Sequence, residues 1–416
     1  MIKFGRFSDA FKPKISLEKW NECERLYKEK KYHESYSLFF DYLKDSETEN
    51  VFHNTDGSLL KFQLLQGSKE IRGFSDGSKV TAMVLVADYE KLGVPVMRRL
   101  MEMNYTLYYS RFAVRNNKIL LKFDSSILDC SPRKLYYALK EVAVRADKLD
   151  DVLLDEFTTL RPFDTHYTNY SEAEKDIRAK YFRLWIKSAL SYVSGLKRDE
   201  FTGGISYIYL NLLYKIDYLL QPQGQVLNEL EKLSWNYFNT KNVTIEGLID
   251  ELENGLNKLL EIPEEKLRNS FYMVTSTFGI SPPSGKEAAD NVINSNINNV
   301  KWYLDNKYEQ VALNILEYIA GYSLFTYSLN KSLTRILGIM IEIFNPDILK
   351  DLNYGTDYYQ DGNLNRDEIV KALNEAIMID SAEYPELKIN TENLKFDSKY
   401  NFAKSLFEEI LKLSYK

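Results

Sequence analysis

The chain has 416 residues, 44% apolar and 27% charged, with a net charge of −6. That length exceeds one ordinary core and calls for two or three domains. The balance excludes a disordered chain, and the mild acidity excludes a general nucleic-acid binder, which needs a basic stripe.

Only Cys23 and Cys130 occur. They rule out a disulfide scaffold or a cysteine-rich zinc site and fit a reducing cytosol. The first twenty residues lack an apolar core of signal-peptide length. The longest uncharged apolar run, "YIAGYSLFTYSLN", is too short and too polar to span a bilayer. The expectation is a cytoplasmic protein with neither membrane nor nucleic acid as partner.

In chain order, residues 1–44 form a first unit. Trp20, Cys23, Leu26 and Tyr27, then Tyr36, Phe39, Phe40 and Leu43, follow helical spacing on either side of "KEKKYHES". This predicts a tetratricopeptide-like helical hairpin, with no second copy at a period of about 34 residues.

Residues 45–160 change to a period of two. "SLLKFQLLQ", "KEIRGFS" and "KVTAMVLVADY" read as an antiparallel meander between Gly- and Asn-containing turns. Val80, Ala82, Val84 and Val86 share one face and Met83 and Leu85 the other, which predicts a central strand covered on both sides. A helix, "PVMRRLMEMN", follows, then two strands joined by Asn116-Asn117, residues that tolerate left-handed backbone. Ser131 and Pro132 open a long helix whose stripe is Leu135, Leu139, Val142, Ala146, Leu149 and Leu153.

From about 171 the pattern is helical. Ser171 and Glu174 make a capping box, and helices are predicted near 202–220, 224–238, 244–260, 263–277, 285–305, 307–326, 331–344 and 399–414. "TSTFGISPPSGKEA" reads as a linker between helical blocks 161–278 and 279–416, with a single helical domain over both left open. The fold class is α+β, an antiparallel sheet with flanking helices followed by a large all-α region.

Little of this carries motif chemistry. "GISPPSGKE" misses the phosphate-loop spacing and puts Glu287 where magnesium needs a hydroxyl. His33, His53 and His166 stand in separate segments and read as surface residues. Cys130, at a strand-to-helix junction, has no evident base. Catalytic residues: none.

Two stretches are site candidates. In "TLYYSRFAV", alternation puts Tyr108 and Phe112 on one face and Tyr109 and Arg111 on the other. One of these faces offers the aromatic and Arg character of a partner surface. "DYYQDGNLNRDE" places Asp357, Asp361, Gly362, Asn365 and Glu368 at calcium-loop positions, with Tyr359 where a ligand belongs. The same residues suit a turn at Asp361-Gly362 and a helix capping box at Asn365 and Glu368.

The stretch "VMRRLMEMNYTLYYSRFAVRNNKILLKFDSSILDCSPRKLYYALKEVAVRADKLDDVLLDEF" resembles the YbjN-like sensory-transduction-regulator family, which shares the fold of type III secretion chaperones. The resemblance covers roughly 45–157. It implies a chaperone-like fold and a non-enzymatic, bacterial protein that binds a protein or peptide partner. A homodimer stays open, as do two alternatives: an enzyme with a site assembled from scattered helical residues, and a calcium-modulated interaction protein.

Overall fold

A computed structural model describes residues 3–45, 47–163 and 165–415. The chain divides into two compact units. One comprises Lys12–Asn169 with Met273–Ile280. The other comprises the N-terminal residues through Phe11, Tyr170–Tyr272 and the chain from Ser281 onward.

The first unit is α+β. Helices α1 (Lys14–Lys28) and α2 (Tyr32–Leu43) lead into strands β1 (Val51–Asp56), β2 (Leu59–Gln66), β3 (Lys69–Ser75) and β4 (Lys79–Tyr89). Then come α3 (Val94–Tyr105), β5 (Arg111–Arg115), β6 (Lys118–Ser126), α4 (Pro132–Glu156) and β7 (Leu160–Pro162). The strands pair antiparallel in the order β1-β2-β3-β4-β6-β5, with β7 beside the end of β4. Asn116 and Asn117 take φ of 50° and 58° in the β5–β6 turn, the left-handed geometry a tight hairpin requires.

One sheet face is closed by α2 and α4. Cys23, Tyr36, Phe39 and Phe40 of the hairpin share a core with Leu64, Ile71, Val84, Leu121, Leu135 and Val142. The hairpin is therefore a layer of this unit rather than a separate piece.

The opposite sheet face is not sealed, contrary to the two-sided cover expected of β4. Val80, Ala82, Val84 and Val86 are buried, but Met83 is exposed and Leu85 half-buried. Register places Phe52, Gln63, Arg72, Met83, Lys122 and Arg111 in one row across that face.

The second unit is helical: α5 (Glu172–Ser194), α6 (Arg198–Lys215), α7 (Gly224–Asn239), α8 (Ile245–Leu260), α9 (Glu264–Asn269), α10 (Lys286–Asp305), α11 (Glu309–Thr326), α12 (Lys331–Phe344), α13 (Pro346–Asp351), α14 (Arg366–Met378) and α15 (Lys399–Ile410). Ser171 and Glu174 form the complete capping box at the start of α5. α6 runs into a π-helical turn, Ile216–Leu220. Buried residues of α5–α8 and α10–α15 form a single core, so the two helical blocks read from sequence are one unit.

The helix expected over 263–277 stops at Asn269. Tertiary packing overrides its pattern: Thr277 and Phe278 are buried in the α+β unit. The Thr277 hydroxyl donates to the Leu65 carbonyl (2.7 Å) and the Phe278 N–H to the Gln66 Oε1 (2.9 Å). The front of the expected linker, Thr277–Gly279, is thus buried rather than exposed.

Candidate functional site

The surface candidate is built on α3 and the loop after it. The helix is apolar on two faces. Val96, Leu100 and Met103 point into the core, as one stripe of a surface helix must. Val94, Met97, Met101 and Tyr105 form a second stripe on the outside, with Met101 70% and Tyr105 93% exposed. Such a stripe finds no cover within its own unit.

The stripe continues into Tyr108, 88% exposed, and Tyr109. These residues are not in a strand; β5 begins at Arg111, so the two-face alternation over 108–112 does not hold. The loop is held by Glu141 of α4 instead. Its carboxylate accepts the N–H groups of Tyr108 (2.8 Å), Tyr109 (3.0 Å) and Ser110 (2.8 Å) and the Ser110 hydroxyl (2.6 Å). Burial pushes the Glu141 carboxyl up, but these donors together outweigh it and hold it below the usual carboxylate range. Tyr108 therefore projects from a fixed backbone, which lowers the entropy lost on binding.

Phe112 belongs to the other side of the account. It is only 6% exposed and packs in the core. The Asn104 side chain meets its backbone in both directions: Phe112 N–H donates to Oδ1 (2.6 Å) and Nδ2 donates to the Phe112 carbonyl (3.4 Å). Asn104 thus occupies the outer edge of β5 where a partner strand would add. Arg111 is exposed and paired with Asp124 (2.6 Å).

Tyr137 lies one turn before Glu141 on the same face of α4 and is also exposed. Arg98 neighbours Met97 on α3, and Arg133 and Arg145 flank Tyr137 and Glu141 at four-residue spacing on α4; all three arginines are exposed and without an ion pair among the described residues. The sequence signal for α3 was present: "VPVMRRLMEMNY" is apolar at two offsets, one more than an ordinary surface helix uses.

The calcium-like stretch has a different local geometry. Tyr359–Gln360 pairs with Asn363–Leu364, and Asp361 (φ 51°) and Gly362 (φ 80°) make the left-handed two-residue turn between them. Asp357 accepts the Tyr359 N–H (3.0 Å), and Asn365 caps α14 by accepting the Glu368 N–H (3.3 Å). The reciprocal half of the capping box does not form, because the Asn365 N–H donates to the Tyr358 carbonyl (2.9 Å). Among the described residues no three His, Cys, Asp or Glu side chains are grouped to hold a metal ion, so Asp357, Asp361 and Glu368 are not brought together as ligands.

Other titratable groups are committed to structure. Cys23 and Cys130 are buried, and burial pushes both thiols up to about 11. The histidines are less exposed than their sequence context suggested: the His53 Nε2 lies 2.9 Å from Asp41, and the His166 Nε2 2.9 Å from Glu70.

In the helical unit Glu342 is fully buried. It accepts from both terminal nitrogens of Arg335, from the Tyr218 hydroxyl (3.3 Å) and from the Tyr358 hydroxyl (2.8 Å). Burial, then the Glu342 charge, push both hydroxyls up, so they stay protonated donors. Gly338 makes room for this, since a Cβ there would collide with the Tyr218 hydroxyl. Every partner in this cluster is used, as a satisfied buried network requires.

No protein-family model and no curated protein matches the chain. Among the described residues no helix is long and apolar enough to cross a membrane.

Proposed function

We propose that this is a non-enzymatic binding or adaptor protein of the YbjN-like, secretion-chaperone-like kind, acting in a bacterial cytoplasm. Its α+β unit captures a partner polypeptide on the outer face of α3 and the Tyr108–Tyr109 loop. The observation that carries this reading is the uncovered stripe Val94, Met97, Met101, Tyr105 and Tyr108, anchored through Glu141. Exposed Arg98 on α3 and Arg133 and Arg145 on α4 favour a partner whose apolar face carries acidic side chains. Rigid exposed aromatics and Met are the residues that dominate binding energy at such surfaces.

The test compares wild type with the Met97→Asp/Met101→Asp variant, both tagged and matched in circular dichroism, as baits in the source cytosol. Wild type recovers one polypeptide in stoichiometric amount, and the variant loses it at least tenfold. Equal recovery by both baits would remove α3 from the account. Recovery of one small metabolite and no polypeptide would favour an enzyme instead.

A further inference from the structure

The N-terminal segment Phe4–Gly5–Arg6 is bound on the helical unit as a ligand would be. The Arg6 guanidinium makes a bidentate pair with Asp217, Nε to Oδ2 at 2.8 Å and Nη2 to Oδ1 at 2.8 Å. Its Nη1 donates to Glu231 Oε1 at 2.9 Å. The guanidinium carbon lies 4.1 Å from the centre of the Phe325 ring. Two carboxylates and one aromatic face converging on a planar cation select guanidinium over ammonium.

The backbone is read as well. The Gly5 N–H donates to the Tyr218 carbonyl (3.0 Å), and the Gln221 Nε2 donates to the Gly5 carbonyl (3.0 Å). Tyr218 lies in the π-helical turn, whose other late carbonyls, of Leu219 and Leu220, are taken by the Arg178 Nη1. Gly5 sits at φ 83°, and a Cβ on it would press into the Tyr218 ring. The Phe4 ring packs on Tyr354, centroids 4.9 Å apart, and on Tyr218 at 6.1 Å. An aromatic slot, a glycine-only passage and a guanidinium clamp follow one another along three residues.

The site faces residues more than two hundred positions away in the chain, so local helix formation does not explain it. Asp217 is buried and Glu231 partly buried, so the Arg6 guanidinium meets both carboxylates largely away from bulk water, where breaking a hydrogen-bonded charge pair is costly.

We propose that the helical unit carries a recognition site for an aromatic-Gly-Arg peptide segment, filled in cis by Phe4–Gly5–Arg6, that accepts such a segment in trans when the cis one is released. This site is separate from the α3 surface, and neither reading depends on the other.

The test keeps the whole chain. A protease site is placed across residues 8–11, the protein is folded intact and then cut, and a fluorescein-labelled peptide of sequence Lys-Phe-Gly-Arg-Phe-Ser is titrated in. The cut protein takes up the peptide saturably at one per chain, and a peptide with Ala in place of Arg binds at least tenfold more weakly. Absence of uptake by the cut, folded protein, or equal uptake of both peptides, overturns the proposal. A second measurement uses the uncut Arg6→Ala chain: methylguanidinium raises its melting temperature and methylammonium does not. Equal effects of the two ions, or none from either, also overturn it.

Discussion

The α3 face of the α+β unit and the charge clusters of the helical unit treat polar and apolar groups in opposite ways. The α+β unit leaves an apolar stripe outside, on α3, and holds the adjoining tyrosine loop with a carboxylate. The helical unit takes charge inside, around Glu342 and around Asp217, and matches it fully with Arg and Tyr donors. Unmatched apolar surface is cheap in water only when a partner later covers it, whereas unmatched buried charge is costly at once. The contrast separates a surface prepared for association from an interior prepared for uniqueness.

The largest effect that can break this contrast is expected at Glu342. Glu342→Ala strands the Arg335 cation and two tyrosine hydroxyls, and denaturant titration should show a loss of about 3–5 kcal/mol. A loss under about 1 kcal/mol would mean that the cluster is hydrated rather than sealed.

Next comes a pair inside the candidate stretch itself. Phe112→Ala opens a core cavity and should cost about 3 kcal/mol. Tyr108→Ala, on exposed surface, should stay within about 0.5 kcal/mol while weakening partner capture. Equal losses at the two positions would erase the division between core and surface there.

Glu141→Gln removes the charge that gathers the loop amides and should cost about 2 kcal/mol, with faster hydrogen exchange at Tyr108, Tyr109 and Ser110. Because the folded carboxyl lies below its ordinary value, its contribution is fully present above about pH 4.3. It is lost as pH falls through the lower folded value. A wild-type loop whose exchange protection does not fall in that acid range would contradict the assignment.

The smallest effect lies at the calcium-like loop. Asn365→Ala should cost about 1 kcal/mol through loss of the α14 cap. Calorimetry at millimolar calcium should show no heat from this loop, and a saturable heat abolished by Asp361→Ala would establish the metal reading instead.

Much of the architecture was legible because it is local. The bounds of α12, the Ser171–Glu174 box and the Asn116-Asn117 turn depend on residues within a few positions of one another. The α+β class followed from the change of period near residue 50. What escaped was set by distant partners. Glu141 holds a loop about thirty residues earlier, Thr277 at the end of an expected helix and Phe278 in an expected linker are buried instead, and Arg6 answers Asp217. Alternation misplaced Phe112 beside Tyr108 because it assumed that the strand began at Thr106, five residues too early. The outer stripe of α3 was readable in principle; a helix apolar on two faces asks for two partners, and the sheet core supplies one.

The most direct test is the affinity of the recovered partner for wild type and for Met101→Asp, measured by calorimetry at equal melting temperature. The account predicts at least a tenfold weaker dissociation constant for the variant, about 1.4 kcal/mol. Unchanged affinity with an intact fold would contradict the assignment of α3 as the capturing surface.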